Sequence, residues 1–490
     1  MANYDQSSPN TGTTLAAMDA ASVRQLWQAG VDVHDQSSDF FRPMEGRGTG
    51  YIINTIDATS KGAGQKITFT TSSGFYREPK HGEELFDSPS DFETNNISSF
   101  NLQVDWMRNA YRSSERMEEV MGMRGDIASQ TNVELGKWAG REKTWRLMMM
   151  FREKGQPSGH NEIFAGTAGN ANALAKTDTL SMQDVITAGH QLKPRGGNPA
   201  RVGKTADGQD ILSYCVVATT DALSSLKNDS DYKTAVRDAG ERGDTNYIFK
   251  GGYAHVDGHF IKEYNPIDHD GNGPIGSPLN VKADLGVAVT AGTATFMIKG
   301  GGTAAAAADT NTKPFRFFKD YDYKFIEGDS LGAGTASFYV AIINPAGDAD
   351  AGKFGFYKVN ANDGNNLTVE SRLGSANGGI RATAVGGLTW SASVNTDAHP
   401  VGSLVVYTNE DAVPLGHTLV LGNNAAYRGY GKYRNKRMMD QSEGGFIKSV
   451  YLATVFGQTP RLDRRDRAQG YLMITHALDY PGWPISPNLT

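Results

Sequence analysis

A single cysteine, Cys215, stands in 490 residues, so no internal disulfide framework can hold this chain together. It lies in the apolar run Tyr214 to Ala218, which predicts a buried strand rather than a reactive thiol, and the scarcity of thiols points to intracellular folding. Proline is not raised (18 residues) and no Gly-X-Y period accompanies the glycines, which excludes a collagen-like rod. No apolar run approaches the roughly 18 residues that a membrane span needs. The opening Met-Ala-Asn-Tyr-Asp-Gln has neither a basic stretch nor an apolar core, so neither a secretion signal nor an anchor is expected. An excess of positive charge is also missing: Lys plus Arg is 48 against 54 Asp plus Glu, a formal charge of -6. Wholesale binding to nucleic acid is therefore not written in the net charge. What the chain does have is glycine, 57 residues, above an ordinary level of about 7%. With 39% hydrophobic and 21% charged residues and a mean hydropathy of -0.45, the sequence describes a folded, soluble, loop-rich protein. At about 150 residues per domain, the length suggests about three structural units.

The first 18 residues are small and polar, as an extended arm would be, and Asp19 then caps a short helix that carries Val23, Leu26 and Trp27 and stops at Gly30. Alternation predicts a strand at Gln65 to Ser72 and a second through Phe100, Leu102, Val104 and Trp106. The polar stretch Ser73 to Ser99 makes these a long two-stranded arm with a mobile tip. Between Pro89 and Pro157 the period becomes helical, with Val120, Ile127, Leu135, Trp138, Trp145 and Met149 on one face. One long helix from about Ser114 to Arg152 is expected, roughly 55 Å at 1.5 Å per residue. Gly122, Gly125, Gly136 and Gly140 inside it each cost about 1 kcal/mol relative to Ala, so packing must hold it and a kink is expected.

Ser181 and Asp184 form a capping box for a helix through Val185, Ile186 and Leu192 that Pro194 ends. Asp221 to Gly240 predicts one or two helices, and Tyr247 to Tyr264 a hairpin turning at Asp257-Gly258. From 266 to 414 the texture shifts to short apolar runs between Gly, Asn and Asp clusters: Leu285 to Val289, Phe296 to Ile298, Tyr323 to Ile326, Phe338 to Ile343, Phe354 to Val359, Leu388 to Val394 and Leu404 to Tyr407. An all-β sandwich or barrel is expected there, with a low-complexity tract at Gly300 to Asp309. Strands at Phe446 to Phe456 and Tyr471 to Ala477 follow, so the β unit is inserted into an α/β body.

Four motifs carry catalytic or binding chemistry on paper. Gly328-Asp329-Ser330-Leu331-Gly332 fits a nucleophile elbow and a Gly-Asp-Ser-Leu esterase signature, but an elbow needs a strand before Ser330 and a helix after it. Strands are expected on both sides, and no His has Asp three residues before it, so a β-turn is preferred. Gly203-Lys204-Thr205 resembles the end of a phosphate loop, yet Asn198 holds the place of the first glycine. Asp268 to Gly273 matches the opening of a calcium loop, but Leu279 replaces the bidentate Glu, which favours a plain turn. His255, Asp257 and His259 have the spacing of a zinc site on one strand, and the tight-turn pair Asp257-Gly258 breaks it. No cofactor or metal is expected, and no catalytic residue is assigned.

Two basic stretches remain. Arg428, Lys432, Arg434, Lys436 and Arg437 are interleaved with Tyr427, Tyr430 and Tyr433, a mixture that suits a nucleic-acid backbone; a solvated or subunit-facing strand end is the alternative. Arg461, Arg464, Arg465 and Arg467 alternate with acids, which favours salt-bridged contact between chains.

The order of polar arm, long hairpin, very long helix, α/β body and β insertion resembles the major capsid protein of tailed bacteriophages. Trp27 to Thr55, with Phe40, Gly46 and Tyr51-Ile52-Ile53, is similar to that family's N-terminal entry, and Gln65 to Arg112 to its extended loop. Lys137-Trp138 to Gly155 resembles the end of its spine helix, Asn246 to Tyr264 its hairpin, and Leu419 to Gly429 with the closing strands its C-terminal part. Only 266 to 414 departs from the shorter family pattern. The resemblance implies an α+β capsid fold in five parts: arm and entry helix (1–62), extended hairpin loop (63–112), spine helix and α/β body (113–265), inserted β domain (266–414) and C-terminal return (415–490). It implies a non-enzymatic structural subunit that assembles as hexamers and pentamers into an icosahedral shell around double-stranded DNA. Location in the virion after assembly in the host cytoplasm is implied too, with portal, scaffolding and decoration proteins as further partners, DNA on the inner face and no membrane. The hairpin would lie over a neighbouring subunit, giving Arg77, Glu83, Glu84 and the Arg461 to Arg467 set contact roles between subunits. Two other function classes stay open: a virion or surface β protein that binds glycan or receptor, and an esterase using Ser330.

Overall fold

Among the described residues the strands form three seven-stranded sheets and a two-stranded hairpin. The computed structural model describes residues 39–48, 50–57, 60, 62–72, 80–81, 97–114, 127–155, 161–204, 210–234, 254–256, 258–264, 279–280, 282–285, 288, 295–297, 338–344, 354–362, 366–372, 390–391, 399–400, 402–409, 411–432, 435–442, 447–462 and 468–479. They divide into two compact units: Met1–Gly48 with Ile53–Thr144 and Ala426–Gln469, and Thr49–Ile52 with Trp145–Ala425 and Gly470–Thr490.

In the first unit, the sheet is organised by one 16-residue strand, β21 (Ile447–Leu462). Along one edge it pairs with β5 (Asp105–Ser114); along the other it meets β20 (Lys436–Ser442) and then β19 (Ala426–Tyr430), with β22 (Ala468–Gln469) closing its end. Beyond β19 come β2 (Ile53–Asp57) and β1 (Glu45–Gly46), both parallel. The hairpin of β3 (Lys66–Ser72) and β4 (Ile97–Gln103) lies on one face of this sheet, where Ile67, Phe69, Phe100, Leu102 and Val104 pack on Tyr427 and Val455. That close approach requires small residues beneath it. Gly429 and Gly457 face each other across the ladder, and a Cβ on Gly457 would stand 2.1 Å from the Gln103 carbonyl oxygen.

The expected hairpin is therefore present, but its second strand breaks at Val104, where the chain leaves β4 and begins β5. Ser114 ends β5 and does not begin a helix. The long helix is described over Ile127–Gly155, about 44 Å at 1.5 Å per residue, and it continues through Gly136 and Gly140 without interruption. Its apolar stripe gives way to burial on every side, since Leu147, Met148, Met149, Met150 and Phe151 are all fully buried.

In the second unit, the body sheet runs β6 (Glu162–Phe164), β23 (Tyr471–Ala477), β18 (Leu415–Leu421), β8 (Asp210–Ala218), β10 (His259–Glu263) and β9 (Ala254–Val256), with β7 (Ala200–Lys204) on β8. Strands β18 and β23 are buried at every residue, which is why apolar runs such as Leu419 to Leu421 and Tyr471 to Ile474 dominate them, with His417, Thr418, Thr475 and His476 buried among them. The helix Met182–Leu192 opens with the expected capping box: Asp184 N–H donates to Ser181 Oγ (3.2 Å), and Ser181 N–H donates to Asp184 Oδ2 (3.1 Å). It ends in a short turn through Pro194. Its Val185, Ala188 and Leu192 pack on Tyr214, Val216, Val420 and Ile474, joined by Leu223 and Leu226 of the helix Thr220–Asn228.

The third sheet is antiparallel: β11 (Lys282–Asp284), β17 (Leu404–Thr408), β13 (Phe338–Ile343), β14 (Phe354–Asn362), β15 (Asn366–Arg372) and β12 (Thr295–Met297), with β16 (Trp390–Ser391) on β15. All of its strands fall within 282–408. Among the described residues its strands form one sheet, in which β11 and β12 end the path without pairing to each other. Strand β15 went unrecognised because its polar sequence, Asn-Leu-Thr-Val-Glu-Ser-Arg, carries only two apolar residues. The expected Asp19 helix, the Tyr323 to Ile326 strand and Gly300 to Asp309 lie outside the described residues.

Candidate functional site

The most concentrated electrostatics of the first unit are buried. Just before β1, Asp39 and Glu45 flank a short turn, Arg42–Met44, held by Pro43. Both carboxylates meet Arg428 of β19: its Nη1 donates to Asp39 Oδ2 at 2.5 Å and stands 3.4 Å from Glu45 Oε2. Asp39 also accepts from Thr144 Oγ1 (3.0 Å) and from Phe41 N–H (3.1 Å), while Glu45 accepts from Tyr430 Oη (3.2 Å) and Arg42 Nη1 (3.2 Å). Lys143 Nζ lies 5.4 Å from the Tyr430 ring centre. Burial alone would push the Arg428 pKa down, but the two carboxylates outweigh it and hold the guanidinium protonated, well above its ordinary value. This is an internal clamp with no access for a ligand.

The second unit holds a buried polar cluster where β6, β18 and β23 meet. Thr475 Oγ1 donates to Glu162 Oε1 at 2.5 Å and lies 3.0 Å from His417 Nδ1; on the next row Thr418 Oγ1 lies 3.0 Å from His476 Nε2. Arg152 stacks on the Tyr407 ring, 5.5 Å from its centre. Burial, with the Arg152 charge adding to it, lowers His417 well below its ordinary pKa, and burial pulls His476 down to about 4. Glu162 is raised by burial, against the pull of Thr475 and Arg152. In the third sheet, His399 bridges Tyr357 Oη (2.9 Å) and Asn344 Oδ1 (2.7 Å), all three buried. These hydrogen bonds pair buried polar groups with one another.

Sequence-derived candidates land as follows. Arg428 must be corrected: it is fully buried in the clamp, and Tyr427 and Tyr430 beside it are buried as well, so none of them offers a surface to nucleic acid. A sequence window could not see this, because the partner is 389 residues away. Lys432 is exposed, Lys436 is half-buried on β20, and Arg437 follows it on that strand; Arg434 lies outside the described residues. Arg461 is half-buried near the end of β21, and Arg464, Arg465 and Arg467 lie outside, as do Arg77, Glu83, Glu84, Ser330 and Asp268 to Gly273. Gly203 and Lys204 sit just past a register shift in β7, paired antiparallel with Ile211 and Asp210 of β8. His255 and His259 stand on different strands, paired through a turn with Gly258 at φ 73°, and His259 is buried against Tyr214. Cys215 is fully buried, its thiol pushed up to about 12 by burial. Among the described residues no group of His, Cys, Asp or Glu could hold a metal ion, and no helix is long and apolar enough to cross a membrane.

What sequence reasoning missed is the uncovered half of the first sheet's hairpin-bearing face, which shows Trp106, Arg108, Arg112 and Tyr451 at the surface. Strict alternation along β5 was the available signal.

No family model matches the sequence, and no curated protein does. Solved structures do match. The capsid of Ralstonia phage GP4 superposes with a TM-score of 0.51 at 14% identity, over 90% of this chain and 92% of that one. The Cyanophage Pam1 capsid asymmetric unit gives 0.49 at 10% identity, over 89% and 92%, and the head of Helicobacter pylori bacteriophage KHP40 gives 0.48 at 11%, over 90% and 91%. By the first of these superpositions, which leaves little of either chain unmatched, this chain has the fold of a bacteriophage capsid protein.

Proposed function

We propose that this chain is a major capsid subunit that self-assembles, as hexamers and pentamers, into an icosahedral shell around double-stranded DNA. The observation that carries the reading is the superposition on the Ralstonia phage GP4 capsid over about nine-tenths of both chains. The chemistry is consistent with it, since the buried Arg428 pairs with Asp39 and the buried His417 and His476 bond to threonines within the core. A shell subunit needs no catalytic cleft. It needs extended elements that reach neighbours, and closed symmetry multiplies modest contacts into a stable whole.

On this reading, residues 1–62 form an arm and entry helix, 63–112 the loop over an adjacent subunit, 113–265 the spine helix and body, 266–414 an inserted domain and 415–490 the return to the body. Arg77, Glu83, Glu84 and the Arg461 to Arg467 set bridge subunits. The protein acts in the virion after assembly in the host cytoplasm, alongside portal, scaffolding and decoration proteins, and has no enzymatic role. Negative-stain electron microscopy of the purified protein tests the proposal. Closed polyhedral shells support it, whereas small discrete particles that hydrolyse a generic ester, or bind glycan, support the other classes.

A further inference from the structure

Strands β5, β21 and β20 form a three-stranded segment whose register fixes which residues share a face. Opposite residues are Trp106 with Val455, Arg108 with Ala453, Ala110 with Tyr451 and Arg112 with Ser449; across β21, Ala453 faces Lys436, Tyr451 faces Met438 and Ser449 faces Asp440. All of these lie on one side, the side that the β3–β4 hairpin covers over Val455, Gly457 and Tyr427. Among the described residues the hairpin runs from Gly457 towards Tyr427, away from Ser449, and does not cover the rest of the face. There Arg108, Ala110 and Arg112 are exposed, with Trp106 38% and Tyr451 36% accessible.

The side chains of Arg108 and Arg112 make no hydrogen bond or ion pair with a described residue. Among the described residues they are two exposed cations in a chain of net charge -6. At about 3.3 Å per residue they stand roughly 13 Å apart, close to the ~12 Å width of a B-form major groove, so each can reach a phosphate on a different rim. Lys436 adds a third cation one row of the ladder across from Arg108, and the backbone of one acid, Asp440, stands across from Arg112. The row between them is Ala110, Tyr451 and Met438, with the Tyr451 ring at the surface. Cations beside exposed rings suit a sugar–phosphate surface.

We propose that this face, through Arg108, Arg112 and Lys436 flanked by Trp106 and Tyr451, binds the phosphate backbone of double-stranded nucleic acid without reading its sequence. The proposal rests on the capsid reading and replaces the buried Arg428 as the centre of the nucleic-acid contact. Its test is fluorescence anisotropy of the full-length chain with a labelled duplex of about 30 base pairs across a salt series, where each lost phosphate contact lowers the slope of log K against log salt by about 0.9. Relative to wild type, R108Q/R112Q should reduce that slope by about two contacts for unrelated sequences alike, while R108K/R112K keeps it. A peptide spanning 73–96, rich in Glu and Asp, serves as the competing probe. An unchanged slope in R108Q/R112Q overturns the proposal. So does tight binding of the peptide but not the duplex, or loss of shells in R108Q/R112Q when wild type forms them, because either makes the face a contact between subunits. If wild type forms no shells, the capsid reading fails whatever the duplex does.

Discussion

Arg428 Nη1 lies 2.5 Å from Asp39 Oδ2, with the arginine side chain fully buried and the aspartate nearly so. This pair fastens the segment before β1 to β19. Removing the arginine leaves Asp39 buried and uncompensated, which costs about 3–5 kcal/mol, whereas removing Asp39 leaves Arg428 paired with Glu45. Arg428→Met should lose about that much in urea titrations of the unassembled subunit, and Asp39→Asn less. The joint replacement Asp39→Leu with Arg428→Met should lose less than Arg428→Met alone, because no lone charge remains and Glu45 keeps Arg42 and Tyr430.

Acid should weaken the second unit in a defined window. His476 titrates at about 4 in the folded chain against about 6.5 unfolded, and His417 is displaced the same way. The unfolded state then binds more protons between these values, so stability is complete above about pH 6.5 and falls as pH drops towards 4, by on the order of 3 kcal/mol from His476. Glu162, shifted upward, works in the opposite sense just above its unfolded value and offsets some of the loss. Denaturation midpoints at pH 7.5, 6 and 4.5 check this, and a His476→Gln variant should show a shallower decline.

Gly457→Ala should disturb the hairpin, since the new methyl would collide with the Gln103 backbone. Gly429→Ala meets only the Leu102 and Ile67 side-chain ends, which can shift, so its cost should be smaller. Hydrogen exchange across 66–72 and 97–103 would rank the two. Equal protection in both variants would contradict the packing described.

Much of this fold was legible in sequence, and the reasons are local. The Ser181–Asp184 box announces a helix because both reciprocal bonds span three residues. Phe338–Ile343 and the run Tyr471 to Ile474 announce buried strands because both of their faces need apolar side chains. The failures are non-local. Arg428 sits in a basic, aromatic stretch that suggests a surface, but a carboxylate near the other end of the chain draws it inside. Ser113 and Ser114 look like helix-start residues, yet β21 is long enough to keep pairing with β5 through them. The exposed face of Trp106, Arg108 and Arg112 escaped notice because period-2 alternation shows which residues share a face but not which face stays uncovered.

Charge reversal at Arg461, Arg464, Arg465 and Arg467 should impair assembly while leaving the subunit folded, if these residues bridge neighbours. Light scattering of assembly reactions beside circular dichroism of the unassembled chain separates the two effects. Assembly at the wild-type rate would remove the contact role.

The capsid account stands or falls on a cryo-electron-microscopy reconstruction of the purified assemblies. It predicts closed shells of hexamers and pentamers in which every subunit shows the three sheets and places its 63–112 hairpin against a neighbour. Discrete monomers or small rings under all assembly conditions, with that hairpin contacting no other copy, would contradict it.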